Sequence, residues 1–243
     1  MRKTTDNLEA YDAFLRGVED FGRYSKETTT QARQIFEKAL ALDPQYAEAY
    51  VWLGRTYTME WGSRFSTDPQ TLERAFELEQ KAVALDDSLP LAHSILSFIY
   101  AQKQQYGQAI TEGERAIALD PNNADSYAWQ ASAMNFAGRP EEAIKMVKQA
   151  MRRNPRHPSF DLFTLGFAYY STGQYAEAVA TLQELLSRSP NHPGSHFNLT
   201  LNYVSQWTSQ QNPDAQTLEQ ALAAGQRAIA ISDSSPLSHW GLG

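Results

Sequence analysis

Apolar residues recur along the chain at helical spacing, in blocks that end on polar or proline-containing turns. Six block ends are alike: Ala39-Leu40-Ala41-Leu42-Asp43-Pro44, Ala82-Val83-Ala84-Leu85-Asp86-Asp87, Ala116-Ile117-Ala118-Leu119-Asp120-Pro121, Ala150-Met151-Arg152-Arg153-Asn154-Pro155, Leu185-Leu186-Ser187-Arg188-Ser189-Pro190 and Ala228-Ile229-Ala230-Ile231-Ser232-Asp233. Their first residues lie 43, 34, 34, 35 and 43 positions apart. Each predicts a helix C-terminus, because proline and short polar residues do not carry a helix on. Seven positions before each stands an alanine (Ala32, Ala75, Ala109, Ala143, Ala178, Ala221), small enough to let two helices approach. Further upstream come Leu53-Gly54 with Tyr57, Leu96-Ser97 with Tyr100, Gln130-Ala131 with Met134, Leu165-Gly166 with Tyr169, and Leu199-Thr200 with Tyr203. A large and a small residue followed by a third large, mostly aromatic, one on a single face predict a helix A ahead of each of these helices B. Gly138 and Gly173 fall in the A–B turns, where left-handed backbone is often required.

This pattern resembles the tetratricopeptide repeat (TPR). Residues 159–192 carry Leu165, Gly166, Tyr169, Gly173, Tyr175, Ala178 and Pro190 in the phase of that motif. Six complete repeats are read, over 7–46, 47–89, 90–123, 124–158, 159–192 and 193–235, with a truncated seventh over 236–243. Residues 1–6 read as a flexible lead and 7–243 as one solenoid. The resemblance implies an all-α fold, a right-handed superhelical TPR solenoid of antiparallel helix pairs, with a concave groove lined by the A helices.

Repeats two and six have 43 residues, nine over the standard length of the repeat, and resemble each other. Tyr57, Trp61, Ser63, Asp68 and Gln70-Thr71-Leu72-Glu73 return 146 residues later as Tyr203, Trp207, Ser209, Asp214 and Gln216-Thr217-Leu218-Glu219. A duplicated four-repeat block is expected. The added residues should lengthen both helices of each pair, with Asp68-Pro69 and Asn212-Pro213 opening the long B helices. Trp61 and Trp207 are expected to pack inside the enlarged hairpins, or else to form an aromatic lip. Pro236 to Gly243 matches only the first eight positions of an A helix, so the chain is expected to be part of a longer protein. Residues 5–17, Thr-Asp-Asn-Leu-Glu-Ala-Tyr-Asp-Ala-Phe-Leu-Arg-Gly, are similar to the opening of the TPR region in bacterial class III adenylate/guanylate cyclases. The same opening precedes TPRs in regulators with a DNA-binding domain.

Composition narrows the chemistry. Cysteine is absent, which removes disulfides, thiolate metal sites and thiol nucleophiles. The formal charge of -7 argues against nucleic acid or an anionic membrane as partner. His93, His196 and His239 occupy the ring slot at position 4 of A helices, where Tyr50 and Tyr127 stand elsewhere. They read as packing residues, and His157 and His192 as turn residues. Arg152, Arg153 and Arg156 with Lys145 and Lys148 form a basic cluster best read as a solvated face. No catalytic residue, metal site or cofactor is expected.

In the family, positions 2, 5, 9 and 12 of helix A face the groove. Here they include Arg55, Phe98, the run Phe160, Phe163, Phe167 and Tyr170, and Phe197 with Leu201 and Val204. All of these except Val204 are the candidate binding residues. The expected function is a cytoplasmic, non-enzymatic interaction module holding a protein or peptide in that groove, as the docking or regulatory part of a bacterial signalling protein such as a cyclase. A homodimerisation module and a small-ligand sensor are the alternatives.

Overall fold

The computed structural model describes residues 5–22, 26–62, 66, 68–192, 194–209 and 215–234. The opening residues 1–4, the predicted helix start at Asn212-Pro213, His239 and the seventh repeat lie outside them. The described residues form twelve helices and no strand. They are α1 (Leu8–Phe21), α2 (Lys26–Leu42), α3 (Ala47–Gly62), α4 (Pro69–Leu85), α5 (Pro90–Gln102), α6 (Tyr106–Leu119), α7 (Ala124–Phe136), α8 (Pro140–Arg153), α9 (Ser159–Ser171), α10 (Tyr175–Arg188), α11 (Ser195–Ser209) and α12 (Ala215–Ser234). The fold is all-α, a solenoid of helix pairs. Odd-numbered helices are the A members and even-numbered helices the B members. Packing divides the chain into two compact units, Met1–Gln130 and Ala131–Gly243, with the boundary inside α7.

In the first unit α1 pairs with α2, α3 with α4 and α5 with α6, while α2 rests on α3 and α4 on α5. In the second, α9 pairs with α10 and α11 with α12, while α8 rests on α9 and α10 on α11. The alanines that recur before each B-helix end are all buried, which permits this close approach. Helices α3 and α4 run 16 and 17 residues, and α11 and α12 run 15 and 20. The extra residues of repeats two and six therefore extend helices as expected. Asp68 caps α4 by accepting from the Gln70 amide at 2.9 Å, with Pro69 as the first helical residue. Trp61 packs on the core shared by α3, α4 and α5, and its indole N–H donates to Gln102 Oε1 at 3.4 Å.

The turns explain why the sequence signals recur. After α2, α4, α6 and α8 an Asp or Asn side chain accepts from the amide two residues on: Asp43 from Gln45, Asp86 from Ser88, Asp120 from Asn122, Asn154 from Arg156. The ring at position 4 of the next helix then bonds a carbonyl six residues back. Tyr127 donates to Pro121 O at 3.1 Å, and His93 and His196 reach Asp87 O and Pro190 O through Nε2 at 3.1 and 2.9 Å. In those three helices the slot holds a flat ring with a polar edge, while in α9 it holds Leu162. Between A and B helices the chain passes through left-handed backbone at Gln104, Gly138 and Gly173. In each turn an amide bonds back across five residues, as in Gln174 N to Tyr169 O at 2.9 Å.

His93 does more than pack. It is buried between α5 and α6, with Nδ1 2.7 Å from Glu112 Oε2 and Nε2 facing both Asp87 O and Asp87 Oδ1. Burial pushes the imidazole pKa down, but the Glu112 hydrogen bond, the Asp87 carbonyl and both carboxylates hold it above its ordinary value. A raised folded pKa means the added stability is complete below the unfolded value of about 6.5 and fades as pH rises through the folded one. Urea midpoints of the protein and of His93→Phe are thus expected to be furthest apart near pH 5.5 and to converge toward pH 8.5. A gap that does not change with pH would remove the imidazolium from this account.

The cores are aromatic at one end. Phe14, Phe36 and Tyr46 are fully buried, with Phe14 5.0 Å from Tyr46 and Trp52 closing over Phe14 and Phe36 at 6.2 and 6.1 Å. Four helix pairs also share one packing problem, a contact between a residue of helix A and the B residue four past the conserved alanine. Gly17 faces Phe36, Gly54 faces Glu79 and Gly166 faces Leu182. In α11 and α12 the sizes are reversed, with Thr200 against Gly225. One partner is small so that the other can be large.

Candidate functional site

The A helices α9 and α11 lie side by side in the second unit. Phe160, Phe163, Phe167 and Tyr170 recur along one stripe of α9, and Phe197, Leu201 and Val204 along one stripe of α11. The four α9 rings are half-buried. Phe163 packs with Leu182, Leu199 and Tyr203, and its ring lies 5.3 Å from that of His192. Tyr170 packs against Tyr175 at 5.9 Å. Phe197 and Val204 are 54% and 41% exposed. The geometry is a floor of half-buried rings with an exposed apolar edge on α11. Of the polar groups nearby, Asn198 Nδ2 donates to Gly194 O and the Tyr203 hydroxyl accepts from Gln183, while the buried Asn202 Oδ1 has no hydrogen-bond partner. The apolar surface is what the stripe offers to a ligand.

Two candidates lie elsewhere, in the first unit. Phe98 is a core residue, 7% exposed, with Trp129 edge-on at 5.2 Å. Its phase matched the groove, but α5 is buried on nearly its whole circumference. Arg55 is held in place by the protein itself. Its guanidinium stands over the rings of Trp52 and Phe21 at 5.0 and 5.4 Å and 3.9 Å from Asp125. It also faces a residue the sequence reading overlooked. Glu79 is fully buried in α4, and both carboxylate oxygens lack a hydrogen-bond partner. Burial drives its pKa well up, with Arg55 acting in the opposite direction.

The remaining candidate chemistry is absorbed by structure. His157 and Arg188 are paired, and His192 Nδ1 meets Ser195 Oγ at 2.6 Å. Lys148 stands over the Tyr169 ring at 5.3 Å. Among the described residues no group of His, Cys, Asp and Glu could hold a metal ion, and no helix is long and apolar enough to cross a membrane.

Solved structures that resemble the chain share its helix pairs. A thermophilic TPR protein of Thermus thermophilus, TTC0263, superposes with a TM-score of 0.63 at 20% identity, over 80% of this chain and 99% of that one. The fold is that of the tetratricopeptide repeats. Human IFIT1, solved as a dimer with m7Gppp-AAAA, gives a TM-score of 0.76 at 15% identity, over 92% of this chain and 51% of that one. Residues 102–185 match the family described as anaphase-promoting complex, cyclosome, subunit 3. The transcriptional regulator HilA of Salmonella paratyphi A is 22% identical over 168 residues, 69% of this chain. The chain spans about 30% of that regulator's length. Identities at this level show the TPR fold; they do not assign a partner.

Proposed function

We propose that the chain is a non-enzymatic interaction module that holds a protein or peptide segment by apolar anchors on α9 and α11. The observation that carries this reading is the edge formed by exposed Phe197 and Val204, with half-buried Leu201 between them, beside the α9 rings. A folded helix has no need of Phe and Val on a solvent face, and contiguous exposed apolar side chains mark contact surfaces. Helix-in-groove or extended-peptide recognition suits such a strip. IFIT1 is recorded with m7Gppp-AAAA, so the TPR fold also serves nucleotide ligands. The acidic balance of this chain favours a protein ligand.

The proposal includes a cytoplasmic setting inside a larger bacterial regulatory chain, of the cyclase or transcription-factor kind. Support comes from the opening segment over residues 5–17 and from the HilA relative. The test is selection from a random peptide library followed by calorimetry. Selected peptides are expected to carry aromatic or large aliphatic anchors. Phe197→Asp with Val204→Asp should weaken them at least about tenfold, or 1.4 kcal/mol, with the melting temperature unchanged. Peptides that bind the double variant equally well would place the site elsewhere.

A further inference from the structure

The turns that follow the B helices carry opposite charge in the two units. In the first unit each turn, taken with the opening of the next A helix, holds two acids: Asp43 and Glu48, Asp86 and Asp87, Asp120 and Asp125. Helices α2, α4 and α6 have no cation in their last turn. Lys38, Lys81 and Arg115 stand further inside those helices, and Arg115 pairs with Asp87 at 2.8 Å. In the second unit α8 ends on Arg152 and Arg153, Arg156 follows in the turn, and α10 ends on Arg188. All four are exposed. No Asp or Glu lies between Glu142 and Asp161, or between Glu184 and Asp214. Asp161 is buried, and Glu184 pairs with Arg188. The arginines form one edge. Arg188 reaches the α8–α9 turn, with a guanidinium nitrogen 3.2 Å from His157 Nε2, and Arg227 of α12 donates to Asn191 Oδ1 in the α10–α11 turn at 3.0 Å. The helix dipole favours a cation at a helix C-terminus, but α2, α4 and α6 close without one, so the arginines are not a requirement of the fold.

We propose that this basic edge of the second unit docks on the acidic turns of the first unit of a second copy of the chain. Both surfaces are built from the ends of stacked helix pairs, so their charges recur at a common spacing, set by helix packing distances of about 8–10 Å. Two copies related by a two-fold axis make the contact twice, and the assembly closes as a dimer. Charges act over roughly 8 Å in physiological salt. The facing edges therefore decide the docking, and the formal charge of -7 on each copy matters little beyond them. A long polyanion such as RNA is a poorer occupant, because it meets the acidic first unit as well as the arginines. Exposed ion pairs contribute little each, so the dimer is weak and sensitive to salt.

Sedimentation of the 243-residue chain over a concentration series tests this. A monomer–dimer equilibrium is expected at about 30 mM salt, with a dissociation constant at least about tenfold higher at about 300 mM. Two variants break opposite edges. Arg152→Glu with Arg156→Glu reverses two exposed charges. Asp43→Asn, Asp86→Asn and Asp120→Asn together remove three charges and keep the turns, since Asn154 makes the same bond to the amide two residues on. Each variant alone should lose the dimer. Their equimolar mixture should associate more than either, because it restores one of the two contacts. The triple Asn variant also brings the formal charge nearer zero, which by net repulsion alone would favour association, so a weakened dimer there is specific to the edge. A chain that stays monomeric at low salt, a dimer that both variants leave intact, or a mixture no more associated than its components would overturn the proposal. So would single-stranded RNA or a phosphatidylserine vesicle binding through Arg152 and Arg156 while the chain itself stays monomeric.

Discussion

Phe36→Ala is expected to lower the stability of the first unit by about 3–5 kcal/mol, the range for deleting a large buried ring. The ring is fully buried, 5.9 Å from that of Phe14, and lies against Gly17. A β-carbon on Gly17 would stand 2.6 Å from Phe36 Cε1, too near for any packed pair. Gly17→Ala should therefore also destabilise, by roughly 1–3 kcal/mol from overpacking. The two changes are not independent. Gly17→Ala combined with Phe36→Leu places a medium residue on each side, as Thr200 and Gly225 exchange sizes in α11 and α12. The double variant is expected to be at least about 1 kcal/mol more stable than additivity allows. Urea denaturation with amide exchange read in α1 and α2 measures the cycle of parent, Gly17→Ala, Phe36→Leu and the double variant, with Phe36→Ala beside them. Strict additivity would show that the contact between Gly17 and Phe36 does not set the helix approach.

Much of this architecture was legible because it rests on residues that act locally. Proline, an Asp that closes its own turn and a left-handed glycine do the same thing in every repeat, so Asp43, Asp120, Gly138 and Gly173 could be placed from phase alone. Recurring alanines reported close helix approach for the same reason. The groove was harder to read. Positions 2, 5, 9 and 12 share a phase, but exposure depends on what a neighbouring helix presents. Phe98 is covered by Trp129 and lies in a helix buried nearly all round, whereas Phe197 is more than half exposed. Arg55 looked like a ligand-facing cation because phase says nothing of Glu79, which lies on a different helix. The signal for Glu79 was nonetheless present. It occupies the slot filled by Phe36, Val147 and Leu182 in other repeats, and a carboxylate in an apolar series is an exception that asks for an explanation.

Glu79→Leu is expected to stabilise the first unit, by about 1–3 kcal/mol at neutral pH, the cost of burying a polar group that makes no hydrogen bond. The chain already contains the product of this substitution. Gly166 accommodates Leu182, with its methyl groups at 3.0 and 3.7 Å from the position a β-carbon would take, in the same relation as Gly54 to Glu79. The gain should depend on pH. Glu79 is an acid whose folded pKa is raised, so native stability is greatest below the unfolded value of about 4.3 and is lost as pH rises toward the folded one. Above that value the carboxylate is buried with both oxygens unbonded and only the charge of Arg55 in compensation. The difference between Glu79→Leu and the parent is thus expected to be small at pH 4 and to widen steadily toward pH 8. Arg55 retains Asp125 at 3.9 Å and the rings of Trp52 and Phe21, so its own burial is not left uncompensated by the change. Glu79→Gln separates charge from shape, because it keeps the volume and removes the ionisation. It should flatten the pH dependence as Glu79→Leu does, with a smaller gain, since a buried amide still lacks partners. A pH profile in Glu79→Gln identical to that of the parent would assign the dependence to another group.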